Sequence, residues 1–184
     1  MSKNELECMW ELSIDLPYRE KVEELQEIFT NQIEAQVEHN DGKVVYPTFT
    51  KYNHYFSDGL YIREMSSVKD SMFFTVIHNV ANPLFLMTGK VAFSSEDGVE
   101  ELVAPTFILT KPGTKRICYW IEDSVLVTVH PNPKGLTDLD EIEKEMFSTT
   151  WEEYEKQDES MKQDTWVLLE HDNYFKKLEN EENK

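Results

Sequence analysis

From Val44 to His130 the chain never holds one residue pattern for long. Short runs rich in Val, Ile, Phe, Tyr and Thr are cut by Asp58-Gly59, Thr88-Gly89, Asp97-Gly98 and Pro112-Gly113. β-Branched and aromatic side chains suit a pleated, half-buried surface, and such Gly-containing pairs make tight turns. The spacing predicts strands over 43–48, 60–65, 72–78, 84–88, 90–94, 99–103, 106–109, 115–121 and 125–130. No helical stretch of roughly 10–15 residues intervenes, which excludes a parallel βαβ arrangement and points to an antiparallel sandwich or barrel.

The flanks read differently. Val22, Leu25, Ile28, Phe29, Ile33 and Val37 fall on one stripe of a helix predicted over 17–37. Asp15 can cap it, Pro17 fits its first turn, and Asn40-Asp41-Gly42 supplies a stop. After Pro131-Asn132-Pro133 the helical pattern returns. Asp138 stands ahead of Ile142, Met146 and Phe147, and Thr150 with Glu153 makes a capping box. A last helix is predicted over 164–178. The expected organisation is a helical flank over 1–42, a β-barrel over 43–136 and acidic helices over 137–184, all one structural domain.

Charge follows the same division. Residues 1–45 carry 11 acidic and 4 basic groups, residues 46–136 carry 9 and 8, and residues 137–184 carry 16 and 6. The net charge of -18 therefore sits in the flanks. It disfavours a nucleic-acid polymer or an anionic membrane as partner, since both are gripped by Lys and Arg. A small anion in the near-neutral middle escapes this argument, because exposed charges beyond about 8 Å are largely screened in physiological salt. Cys8 and Cys118 have no disulfide spacing and read as reduced thiols. No signal-peptide or membrane-spanning run is evident, so a soluble intracellular protein is expected.

Three groups of residues are candidates for chemistry. Arg63, Lys115 and Arg116 stand in apolar strands, where a cation needs a carboxylate or an anionic ligand. Either a structural ion pair with Glu64 or Glu122, or a phosphate grip, meets that need. Lys115 and Arg116 must point to opposite faces of a regular strand, so at most one enters a barrel, whereas Tyr61 and Arg63 share a face. Among the aromatics, Tyr52, Tyr55, Tyr61, Phe74, Phe85, Tyr119 and Trp120 are core candidates, of which one or two can stack on a base. Walker-type loops, GxGxxG, HExxH and GxSxG are absent from the sequence.

The stretch from Gly59 to Glu145 resembles a family of cupin-like proteins widespread in bacteriophages. The resemblance runs through Gly59-Leu60-Tyr61-Ile62-Arg63-Glu64, Val76-Ile77-His78, Gly89, Ala104-Pro105-Thr106-Phe107 and Pro112-Gly113-Thr114-Lys115-Arg116. It closes on Thr128-Val129-His130 and Asp138-Leu139-Asp140-Glu141-Ile142-Glu143. It implies a mainly β fold, a cupin-like β-barrel (a double-sheet jelly roll) with N- and C-terminal α-helices. The family includes anti-CBASS sponge proteins, which sequester cyclic dinucleotide immune signals such as cyclic GMP-AMP.

On that resemblance His78 and His130 end strands at the barrel mouth. Metal-binding cupins use three histidines and a carboxylate, and many relatives carry a second His where this chain has Asn82. The donors left for a transition metal are His78, His130 and Glu64, short of the usual three well-placed protein ligands, so no cofactor is expected. The implied function is a non-catalytic phage anti-defence sponge, acting in the cytoplasm of the infected bacterial host. Its expected ligand is a cyclic dinucleotide, held by Tyr61, Arg63, His78, Lys115, Arg116, Tyr119 and His130. A dimer or tetramer is also implied. The alternatives are a metal-dependent cupin enzyme of isomerase or dioxygenase type, and a virion or assembly protein.

Overall fold

The computed structural model describes residues 17–34, 38–40, 43–45, 50–95, 98–159 and 162. The first element, α1 (Tyr18–Glu34), follows Pro17, whose carbonyl accepts from Lys21 N at 3.0 Å. Two short strands, β1 (Glu38–Asn40) and β2 (Lys43–Val45), pair as a hairpin across residue 42, where the flank was expected to end.

The barrel is built from β3 (Thr50–Ser57), β4 (Leu60–Ser67), β5 (Met72–Phe74), β6 (Ile77–His78), β7 (Asn82–Thr88), β8 (Lys90–Ser95), β9 (Gly98–Val103), β10 (Thr106–Thr110), β11 (Ile117–Trp120) and β12 (Ser124–Pro131). One sheet has the order β10-β7-β12-β4-β3 and the other β5-β11-β8-β9, with every pairing antiparallel. The chain passes from one sheet to the other at β4 to β5, from β5 to β7 by way of β6, and at β7 to β8, β9 to β10, β10 to β11 and β11 to β12. That strand order is a double-sheet jelly roll. The fold class is thus mainly β, with helices on both sides of the barrel in sequence.

Alternation fixes what lies between the sheets. In β12 the residues Ser124, Leu126, Thr128 and His130 are buried, while Val125, Val127 and Val129 are only half-buried. Met65, Leu84, Leu86, Val91, Phe93, Cys118, Trp120 and Leu126 form the core between the sheets. A second cluster lies outside the four-stranded sheet, where Val22 and Leu25 of α1 pack on Ala92, Ile117 and Tyr119. Burying two such side chains stabilises the attachment by about 1.5–3 kcal/mol each. Ile28 of the same stripe stays 37% exposed. Gly89 makes the turn into β8 at φ +81°, and a Cβ there would stand 2.4 Å from the Asp123 carbonyl oxygen.

After β12 the chain folds over one end of the barrel. Asp138 caps α2 (Leu139–Met146) by accepting from the backbone of Asp140 and Glu141. Ile142 and Met146 pack with Tyr61 and Phe147. Phe147 leaves the helix and begins β13 (Phe147–Ser148), which pairs with β6. The capping box of Thr150 and Glu153 then starts α3 (Trp151–Glu155).

Several expectations need correction. The single strand expected over 72–78 is two: after Phe74 the regular pairing with β11 ends, and His78 pairs with Phe147 while its backbone also bonds Gly113 and Thr114. Strand β3 was not expected: Lys51, Asn53 and His54 give it a polar composition that an edge strand tolerates. The strand expected over 43–48 is β2 as far as Val45, and residues 46–49 lie outside the described residues. Phe147, expected on a helix face, is in a strand. Residues 35–37 and the helix expected over 164–178 also lie outside the described residues. Among the described residues, no helix is long and apolar enough to cross a membrane.

Candidate functional site: a barrel cavity with two arginines

The sheets leave a cavity of about 570 Å³ between them. Met65, Leu84 and Leu126 line it from the five-stranded sheet, and Phe73, Phe93 and Cys118 from the four-stranded sheet. Asp140, Glu143 and Lys144 of α2, with Thr149, Glu153 and Gln157, complete the lining. The volume lies within the roughly 300–1,000 Å³ typical of small-ligand sites.

Two guanidinium groups enter this largely apolar space. Arg63 lies 5.0 Å over the Phe147 ring and 6.0 Å over the Tyr52 ring. Arg116 lies 5.8 Å from the Phe93 ring and donates from Nη1 to Thr110 Oγ1 at 3.2 Å. Neither has a carboxylate partner among the described residues. The ion pairs considered for Arg63 and Arg116 with Glu64 or Glu122 are thus not formed. Glu64 belongs to the opposite face of β4, where it accepts from Asn53 Nδ2 at 2.7 Å. Burial lowers the Arg116 pKa from its ordinary value, opposed by Cys118, Tyr18 and Glu100.

A column of rings runs down one side. Tyr52, His54, Tyr61, His130 and His78 stack in that order, with successive centroids 6.3, 5.9, 5.7 and 6.1 Å apart. Phe147 meets both His78 and His130 edge-on, at 5.2 and 5.5 Å. The Tyr61 hydroxyl is 2.8 Å from His54 Nδ1, and His130 Nε2 is 3.0 Å from Thr128 Oγ1. Burial first, then Arg63 and Arg116, push the His78 pKa down to about 3. Burial, His78 and Arg63 push His130 well below the usual histidine value. Both imidazoles are therefore neutral near pH 7. His78 Nδ1 and His130 Nδ1 are buried without a hydrogen-bond partner, and His78 lines the cavity.

The other candidates fall elsewhere. Lys115 and Arg116 precede β11, which begins at Ile117 rather than at residue 115 as expected, so alternation does not govern them, and it is Arg116 that enters the barrel. Lys115 is buried toward α1: its carbonyl accepts from Tyr18 Oη at 2.5 Å, and burial lowers its pKa against the opposing effect of Glu23. Tyr119 belongs to the cluster beneath α1 and donates to Asp70 Oδ1 at 2.8 Å. Neither lines the cavity. Tyr61 and His130 back it through the ring column rather than line it. Phe147 and Thr128 do line it and were not among the expected ligand residues. Phe147 follows the apolar helical positions Ile142 and Met146 in sequence, which hid its strand pairing with His78. Thr128 alternates with Leu126 and His130 on the inward face of β12, and that period of two could have found it.

The donor set does not fit a three-ligand metal centre. Among the described residues no three His, Cys, Asp or Glu side chains are grouped to hold an ion. His78 and His130 are parallel rings, and Glu64 is on the far side of its strand. Cys118 is a free, buried thiol whose pKa burial raises, which disfavours the thiolate a metal needs.

No protein-family model and no curated protein matches the chain. Among solved structures it is similar to a transcriptional regulator of the HTH_3 family from Vibrio cholerae, with 14% identity and a TM-score of 0.41 over 56% of this chain and 59% of that one. It is also similar to a cupin-2 domain protein from Shewanella frigidimarina, with 10% identity and a TM-score of 0.39 over 55% and 91% of the two chains. A third likeness is a cupin superfamily protein from Desulfitobacterium hafniense, at 9% identity and a TM-score of 0.41 over 53% and 84%. The jelly-roll assignment itself stands on the strand order.

Proposed function

We propose that this chain is a binding protein without catalysis, and that its barrel cavity sequesters a small nucleotide, a cyclic dinucleotide in particular. One observation carries the reading: Arg63 and Arg116 enter the same largely apolar cavity and neither forms an ion pair among the described residues, the carboxylates of Asp140, Glu143 and Glu153 in the lining included. Two half-buried cations without an ion-pair partner favour an anionic ligand, and a guanidinium fork suits phosphate oxygens. Rings of Tyr52, Phe73, Phe93 and Phe147 in the same lining offer faces for bases. The buried Nδ1 of neutral His78 adds a hydrogen-bonding atom to the wall.

The resemblance to phage sponge proteins supplies the biological context of this proposal, removal of an immune signal in an infected bacterium. Sequestration demands affinity and not turnover. A dissociation constant of about 1 nM to 1 μM corresponds to about -12 to -8 kcal/mol. A metal-dependent enzyme finds the adjacent imidazoles of His78 and His130 to begin from, and those do not converge with a third donor among the described residues.

Calorimetry with a panel of cyclic dinucleotides tests the reading. Binding to at least one at micromolar or tighter affinity is expected, and recovery of intact ligand after heating the complex separates a sponge from a nuclease. Arg63→Ala and Arg116→Ala should each weaken binding by about 10-fold or more, since hydrogen bonds to charged groups are worth about 1.5–3 kcal/mol. Silence with every member of the panel, or a stoichiometric transition metal lost on His78→Ala, sinks the proposal.

A further inference from the structure

We infer that the acidic mouth of the barrel cavity is a charge filter. Asp140, Glu143 and Glu153 turn away nucleotides that carry a terminal phosphate, such as ATP or a linear dinucleotide, and leave entry to ligands whose phosphates are all diesters. The inference rests on the proposed binding of a cyclic dinucleotide and adds the residues that decide which nucleotides are refused.

The cavity is charged in two layers. Arg63 and Arg116 line it half-buried, inside the barrel. Asp140, Glu143 and Lys144 of α2 and Glu153 of α3 line the same space and are exposed, which puts them at its mouth. Three carboxylates against one ammonium leave the mouth an excess of two negative charges. Asp140, Glu143 and Lys144 stand at i, i+3 and i+4 of one helix and so share a face. The other face is anchored, since Ile142 and Met146 are buried against Tyr61 and Phe147.

The filter is held in place at its other side too. Glu153 Oε2 accepts from Thr149 Oγ1 at 2.6 Å, Thr149 N at 2.8 Å and Thr150 N at 3.3 Å, and these bonds hold its carboxyl below the ordinary range. The Tyr52 hydroxyl stands in the fields of both layers: burial raises its pKa, Arg63 lowers it, and Cys118 and Glu143 raise it. A separate observation points past the mouth to a ligand inside. His78 is 6% exposed, lines the cavity, and keeps a buried Nδ1 without a hydrogen-bond partner.

The selectivity follows from counting charge. Two guanidinium groups match two phosphodiesters of one negative charge each. A terminal phosphate carries about -1.5 to -2 at pH 7. Opening one diester of a cyclic dinucleotide leaves the same bases and sugars but more charge than two arginines neutralise, and ATP carries more still. That excess meets the carboxylates of the mouth, and opposed like charges are how a site rejects a competitor. One such pair about 7 Å apart in water costs about 3-fold in affinity, so the mouth's excess of two costs about 10-fold. Without this layer, two arginines in a cavity lined with rings would accept nucleoside triphosphates as readily.

Calorimetry on the full chain compares cyclic GMP-AMP, cyclic di-GMP and cyclic di-AMP, each with its own linear form ending in a phosphate, and with ATP. At least one cyclic form should bind about 10-fold or more tightly than its linear form and than ATP. A preference of shape alone also favours the cyclic form, so variants decide. Asp140→Asn/Glu143→Gln should shrink the ratio by about 3-fold or more, by tightening the linear form and ATP more than the cyclic one. Lys144→Gln should widen the ratio by about 2–3-fold. It alters the same helix in the opposite sense, so a general disturbance of α2 does not imitate both results. A linear form that binds as tightly as its cyclic parent, or a ratio unmoved by these variants, overturns the inference and leaves cyclic dinucleotide binding standing. No binding by any of these probes removes that reading and the filter together.

Discussion

Two regions of the barrel interior use the same inward-facing alternation for opposite ends. In one, Leu86, Val91 and Trp120 pack in the core and are almost wholly buried. In the other, Arg63, Arg116, His78 and Thr128 face about 570 Å³ that their side chains do not fill. On β12 the two meet at Leu126, which packs in the core and also lines the cavity beside Thr128. The difference teaches that jelly-roll stability and its candidate binding chemistry sit side by side on one set of strands, and substitutions should separate them.

The largest separation is expected from the packed region. Trp120 is fully buried beside Phe73, their ring centroids 5.9 Å apart. Trp120→Ala should cost about 3–5 kcal/mol, read as a lowered urea midpoint. A cost below about 1 kcal/mol would mean that the packed region is no firmer than the cavity, and the contrast would fail.

Acid comes next, and it acts on the polar region. His78 titrates at about 3 in the fold but near 6.5 when unfolded, and His130 is also held well below its ordinary value. With the folded pKa values depressed, the unfolded chain takes up protons first as pH falls. Stability is therefore complete above about pH 6.5 and declines toward pH 3. At pH 5 the loss from His78 is about 2 kcal/mol, and His130 adds to it in the same direction. Urea titrations at pH 7 and pH 5 on the native chain and on His78→Gln check it. The variant should lose less than the native chain, and an equal loss in both would remove His78 from the explanation.

How much of this was legible in the sequence depends on which distance mattered. Local signals read well: Asp138 and the Thr150–Glu153 box start helices where expected, and the Gly-containing turns join strands. Alternation groups Tyr61 with Arg63 on one face of β4, but Lys115 and Arg116 precede β11 and fall outside its reach. It did not tell which side of the four-stranded sheet was the interior, so Lys115 and Tyr119 were grouped with a site from which the sheet separates them. Phe147 was hidden for another reason. Its partner His78 is 69 positions away, and no local period reports a two-residue strand that pairs at that range. The edge strand β3 was obscured by its polar residues, although Tyr52 and His54 bring the ring column to the mouth.

The smallest stability effect should come from the two arginines, and it sharpens the comparison most. A cation with no ion-pair partner contributes desolvation cost and limited attraction, whereas an apolar side chain of similar length keeps the packing. Arg63→Met and Arg116→Met should therefore leave stability unchanged or raise it by up to about 1 kcal/mol at pH 7, measured by urea unfolding without ligand. The same variants should lose cyclic dinucleotide binding in calorimetry. Destabilisation by more than about 1 kcal/mol would give the arginines a structural partner and withdraw the reason to expect an anion. Stability kept while affinity falls is the opposite of what Trp120→Ala should do to the fold, and that crossing of effects is what distinguishes a binding cavity from a poorly packed core.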